Sequence, residues 1–245
     1  SLQLPELDPS FQAVALEARQ KTSDLLAVTP SGILVPELGS PELVVDWHRL
    51  QAGYEVMKSW GLQPELVISP EGQPLSFWET LYSRLRQWQD DNLPNAAGRL
   101  LNKDDGDGLY VENQVKTHWS ELIPDRLQWG VSVLPGTPKP QVLNVAYDGT
   151  NAEQVVPTEL ANILQALPIS TTADRGPQNP SPEKYLLLQA MRLHLDQEPL
   201  DIETYSWLEG SFTSSNGNLA APSGRWDPDD GQVLLSWAEV GSRVG

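Results

Sequence analysis

The apolar positions of this chain recur at two periods, 3.6 and 2, and the chain switches between them several times. After the turn at Asp8-Pro9, Phe11, Val14, Leu16 and the pair Leu25-Leu26 stand among Ala, Glu, Gln and Lys, which predicts a helix over 9–26. Val44, Trp47, Leu50, Tyr54 and Met57 form a second helical stripe, which stops at Gly61. Ahead of it, Ser40-Pro41-Glu42 reads as an N-cap, a first-position proline and a first-turn acid. A third stripe, Phe77, Leu81, Leu85 and Trp88, begins at Ser76-x-x-Glu79, the spacing of a capping box, and ends at Asn92-Leu93-Pro94.

One motif appears twice along this stretch, as Leu26-Ala27-Val28-Thr29-Pro30-Ser31-Gly32 and as Leu66-Val67-Ile68-Ser69-Pro70-Glu71-Gly72. Each copy passes from an apolar, strand-like run through a Pro-x-Gly turn toward a Ser-opened helix carrying Trp. A solenoid generally needs three or more repeats. Two copies therefore predict a strand-turn-helix duplication near 26–90 within a larger domain.

Further along, Leu109, Val111, Val115, Trp119 and Leu122 predict an amphipathic helix over 109–123. Trp129–Leu134 and Val142–Tyr147 alternate and are rich in β-branched residues, so both read as strands, joined across Pro135-Gly136-Thr137-Pro138. A helix over 157–167 and a polar loop over 168–180 come next. Ser181-Pro182-Glu183 repeats the cap-and-proline signature before a stripe of Tyr185, Leu188, Met191 and Leu195. The remainder predicts a short helix over 202–208, a Ser/Asn/Gly-rich loop over 213–224, a turn at 227–231 and a strand over 232–237.

The sum is an α+β protein, mixed and helix-rich, with short strands and Pro-x-Gly turns packed against amphipathic helices. About seven helices and five or six short strands are expected. A single globular domain over 1–245 is the reading, with 1–134 and 141–245 as the subdivision the Pro-rich connection suggests.

Composition narrows function mainly by exclusion. At 245 residues the chain can bury a core of its own, and no apolar run approaches the roughly 20 residues that span a bilayer. There is no cysteine, so disulfides, thiolate metal sites and a Cys nucleophile are ruled out together. The net charge of −17 would repel a phosphate backbone, and no basic cluster offsets it. Nucleic acid is therefore not an expected partner, whereas protein and glycan partners are compatible. The compartment is not legible; a cytoplasmic location is slightly favoured, and a removed signal peptide is compatible with the Ser1 start.

Three sets of residues carry the candidate chemistry. Asp104, Asp105 and Asp107 concentrate carboxylates on a Gly-containing loop, the ligand type that hard divalent cations prefer, but the spacing does not match a calcium-binding loop. Asp227, Asp229 and Asp230 form a second acidic cluster, whose Asp-Gly step before a strand also suits a hairpin turn. The third set is aromatic: nine Trp stand against three Phe. Trp47, Trp78, Trp88 and Trp119 fall on buried stripes, whereas Trp207 and Trp226, with Arg225, are the candidates for an exposed binding edge.

His48, His118 and His194 sit far apart and form no metal-ligating pair. The common nucleophile-elbow, phosphate-loop and dinucleotide motifs are missing. The leading expectation is a non-enzymatic binding or interaction module with no cofactor. The rival is a carboxylate-based hydrolase using a divalent cation at one of the acidic clusters, since paired acids leave no sequence pattern. A structural piece of a larger assembly is the third reading.

Overall fold

The computed structural model describes residues 6–28, 32–43, 45–59, 61, 63–93, 108–134, 180–202 and 205–240. It is an α+β structure. Two compact units interleave along the chain, one holding described residues within 1–20, 36–68 and 129–178, the other those within 21–35, 69–128 and 179–245.

Helix α1 (Pro9–Ala27), whose residues up to Gln20 belong to the first unit, is opened by Asp8, whose carboxylate accepts from the hydroxyl and backbone of Ser10 and is held below the usual carboxylate pKa range by those bonds. Its buried line is Phe11, Ala15 and Ala18; Leu16, expected on the stripe, is exposed. Phe11 meets Tyr54 of helix α2 (Trp47–Ser59) edge to face at 5.5 Å.

The start of α2 differs from expectation. Ser40-Pro41 makes a turn closed by Leu43 N–H on the Ser40 carbonyl, and the cap is Asp46, whose carboxylate accepts from Arg49 N–H at 3.1 Å. Both segments satisfy a local capping pattern, but only Asp46 stands one residue before Trp47, where the buried side of the helix begins. Val44 and Trp60 lie outside the described residues.

Strand β1 (Glu65–Glu71) leads into helix α3 (Leu75–Asn92). The capping box at Ser76 and Glu79 is not formed: the helix begins earlier, with Pro74 at the N-cap and no side-chain cap. Its buried face is Trp78, Leu81, Tyr82, Leu85 and Gln89, one residue on from the Phe77/Trp88 line at both ends. The two motif copies also diverge. Leu26-Ala27 is the last turn of α1, whereas Leu66–Glu71 is strand, and Pro30-Ser31 lies outside the described residues. What they share is a left-handed glycine, φ +65° at Gly32 and +77° at Gly72.

Residues 109–123, expected as one helix, are divided. Strand β2 (Leu109–Val111) pairs in parallel with strand β7 (Gln232–Glu239), and the short helices α4 (Asn113–Thr117) and α5 (Trp119–Leu122) follow. Leu109 and Val111 are buried and Tyr110 between them is exposed, so period 2 prevails as soon as a partner strand is present. Strand β3 (Gln128–Leu134) forms, as expected, and pairs with β1. The strand expected at 142–147, the helix at 157–167 and the loop at 168–180, apart from Pro180, lie outside the described residues.

Helix α6 (Pro182–His194) opens as its signature predicts, with Ser181 Oγ accepting from Lys184 N–H at 3.2 Å. Every residue from Pro182 to Met191 is buried, so the expected stripe understates it. Tyr82 of α3 donates to the Leu186 carbonyl at 2.8 Å and Gln89 to that of Leu193, which fastens α3 along α6.

The main sheet runs β2-β7-β6-β4, with β5 also on β6; here β4 is Ser206–Trp207, β5 is Phe212–Thr213 and β6 is Leu219–Asp227. Two expectations are corrected by it. The helix over 202–208 is strand at Ser206–Trp207, and the loop over 213–224 is a hairpin whose turn is closed by Ser214 N–H on the Asn218 carbonyl. The small residues of 219–224 hid the strand. They are needed there because Tyr185 of α6 lies directly under Gly224.

Candidate functional site

A strand sends successive side chains to opposite faces, and the pairing register therefore sorts the residues of this sheet. Leu109, Val111, Val233, Leu235, Gly224 and Trp226 point to the α6 side, where the named side chains are buried. Opposite them, one row crosses the sheet: Tyr110 beside Leu234, Leu234 beside Arg225, and Tyr205 at the end under the guanidinium of Arg225, 5.0 Å from the ring centre. The next row places Ser236 beside Ser223 and Ser223 beside Trp207, and Ser236 Oγ donates to Glu112 at 2.8 Å.

Trp207 and Arg225 are thus brought onto one face. Trp226 is not. It lies on the other side of the same strand, 1% exposed, so its expected role as an exposed aromatic is replaced by one in the core. Tyr110 and Tyr205, not singled out by the sequence, are 51% and 45% exposed and complete the face. The signal for Tyr205 was its period-2 spacing from Trp207; that for Tyr110 was masked by the helical reading of its segment.

Asp227, the last residue of β6, holds Arg225 Nη2 at 2.5 Å with one oxygen and accepts from Asp229 N–H with the other. Asp230 accepts from Gln232, and Asp229 and Asp230 are exposed at the β6–β7 turn. Among the described residues no group of three His, Asp or Glu stands together as a metal site. Asp104, Asp105 and Asp107 lie outside the described residues. His118 stacks on Phe212 and bonds Glu121, while His194 packs on Trp88, where burial lowers its pKa. His48 is exposed.

A second cluster was not anticipated. Glu71 at the end of β1 and Glu183 and Lys184 in the first turn of α6 are all buried, at 3%, 0% and 4% exposure. Lys184 Nζ lies 3.1 Å from Glu71 Oε1, and Gln128 donates to Glu71 Oε2 at 3.0 Å. Glu183 accepts from the N–H groups of Gly72 and Gln73 at 2.9 and 2.8 Å. Burial raises its pKa to about 7, and the charge of Glu71 adds to that; the two N–H bonds and the nearby indole N–H of Trp78 act in the opposite sense.

No family model matches the chain, and no curated protein or solved structure matches it either. Fold and site by themselves define the class: an α+β protein with an aromatic sheet face on one side of β6 and a sealed carboxylate–lysine cluster at the start of α6. Among the described residues, no helix is long and apolar enough to cross a membrane.

Proposed function

We propose that this chain is a non-enzymatic binding module that recognises a protein partner through the open face of its main sheet. The observation that carries this reading is the gathering of Tyr110, Tyr205, Trp207 and Arg225 across four strands. Tyr, Trp and Arg are the residues that dominate interface hot spots, because each offers a large rigid surface with a polar end. The charge of Arg225 is taken up by Asp227, so what the rim presents is Glu112, Asp229 and Asp230. With a net charge of −17, this favours a partner whose contact surface is basic.

The hydrolase reading is less well supported. Of the two acidic clusters on which it rests, Asp104, Asp105 and Asp107 lie outside the described residues, and Asp227 of the second is engaged by Arg225 and by the N–H of Asp229.

A photo-reactive side chain placed at Tyr110 will cross-link the partner, and the purified partner is then titrated calorimetrically. W207A and R225A are expected to weaken binding by about 30-fold or more, equivalent to about 2 kcal/mol, while L16A on α1 leaves it unchanged. Full affinity in both sheet variants refutes the assignment of this face. Retention of a neutral glycan in place of any protein replaces the partner class.

A further inference from the structure

We propose that Asn216 is a modification site: its side-chain amide is lost through a cyclic imide formed with Gly217, and the carboxylate left behind releases the β5–β6 hairpin from Glu239. The inference stands apart from the binding face. It rests on what meets at the hairpin tip. Asn216-Gly217 is the chain's single Asn-Gly step, and every other Asn is followed by a bulkier residue. Both residues are exposed. Gly217 has φ +80°, the left-handed position that closes a short hairpin loop, and beyond its chain neighbours no atom lies within 4 Å of where its Cβ would stand. The side-chain amides of Asn216 and Asn218 both donate to the Glu239 carboxylate, at 3.3 and 2.9 Å.

The chemistry needs no co-reactant but water. The Gly217 nitrogen, once it has lost its proton to hydroxide, attacks Asn216 Cγ; the new N–C bond closes a succinimide ring, and the Cγ–Nδ2 bond breaks with release of ammonia. Water then opens the ring at either carbonyl, giving aspartate or its β-linked isomer, with no change of oxidation state. Nucleophile and carbonyl stand on adjacent residues, so the step is intramolecular, and Gly puts no side chain in the way of the approach. Asn is among the thermolabile residues for this reason.

The closed loop restrains the reaction. Gly217 N–H donates to the Ser214 carbonyl at 2.9 Å and Ser214 N–H to the Asn218 carbonyl at 2.8 Å, so the attacking nitrogen is freed only when the loop opens. Glu239 holds the loop shut by gripping an amide on each side of Gly217. Once the amide is lost, so is that grip. An oxygen then replaces Nδ2 beside Glu239 Oε1, a donor has become a like-charged acceptor, and the β-linked isomer adds a backbone carbon that breaks the spacing of the Ser214–Asn218 closure. Strand β5 is only 2 residues long, so these loop bonds carry much of the closure of the hairpin.

The test is incubation of the intact chain in mildly alkaline buffer, followed by peptide mapping with fragmentation that separates aspartate from its isomer. Conversion is expected at Asn216 and not at Asn113 or Asn218, at a rate that follows hydroxide. E239A is expected to speed it by about fivefold, the effect of removing two exposed charged hydrogen bonds from the closed loop. The converted fraction, isolated by ion exchange, is expected to lose amide-exchange protection at Ser214 and Gly217. An Asn216 that stays intact in the folded chain overturns the proposal, whether or not it converts in urea. An unchanged rate in E239A overturns the role of Glu239, and full protection in both the converted protein and N216D overturns the release of the hairpin.

Discussion

Gly224→Ala is the sharpest probe of how α6 supports the sheet. A Cβ built on Gly224 lies 2.3 Å from Cε1 of Tyr185 and 2.8 Å from Cδ1 and Cζ. Carbon atoms rest at about 3.5–4.0 Å, so the ring or the strand must give by more than about 1 Å. The ring is poorly placed to yield. It is 1% exposed, and its hydroxyl accepts from Gln189 Nε2 at 2.8 Å. Overpacking of this kind costs about 1–3 kcal/mol and here should reach the upper end, offset by about 0.4–1 kcal/mol from the stiffer unfolded chain. A net loss of about 2 kcal/mol is expected in urea unfolding followed by tryptophan fluorescence.

The cause is isolated by repeating the substitution in a Y185L background, where the distal ring atoms are gone. There G224A should cost less than about 0.5 kcal/mol, a coupling of about 1.5 kcal/mol or more. If G224A alone does not fold but the double variant does, the same coupling has been seen. Equal losses in both backgrounds, or none in either, would refute the close-packing argument.

Three further outcomes are expected. G72A should lose more than about 3 kcal/mol in urea melts, because its φ of +77° is joined by a Cβ position 2.2 Å from the Arg126 carbonyl oxygen, which is backbone; G32A, with φ +65° and open space, should lose only about 1 kcal/mol. K184M should cost about 3–5 kcal/mol by leaving Glu71 buried and uncompensated, and K184M/E71Q should recover part of it, as read by thermal unfolding. At the start of α2, D46A should cost about 1 kcal/mol and S40A less than about 0.5 kcal/mol by chemical denaturation; the reverse order would restore Ser40 as the cap.

What the sequence allowed to be read was local. Ser181-Pro182-Glu183 caps its helix because cap, proline and first-turn acid act within four residues; of the four Trp expected in the core, Trp47, Trp78 and Trp119 are buried and Trp88 is half-buried. The candidate face was half legible. Arg225 and Trp207 were named, yet Trp226 was grouped with Arg225 as its neighbour, and adjacency on a strand means opposite faces. Ala, Ser and Gly over 213–224 carry no hydrophobic alternation, so the strand that sorts these neighbours onto opposite faces is hidden in the sequence. The buried cluster was not legible at all. Glu183 bonds Gly72 across 111 positions, and a first-turn glutamate looks the same whether it faces water or a second carboxylate.

Helix α6 connects these observations. Glu183 and Lys184 sit in its first turn, and the next residue, Tyr185, lies against the backbone of Gly224, which is flanked by Ser223 and Arg225 of the open face. A helix buried on nearly every side cannot rotate or slide without repacking its neighbours, because cores are close-packed and transmit strain. The contact at Gly224 has no slack for a methyl group, so a displacement at the start of α6 must reach β6. The burial of charge at that end and the small residues at the other are therefore parts of one constraint. The first fixes where α6 begins, and the second lets the sheet lie close enough to be positioned by it.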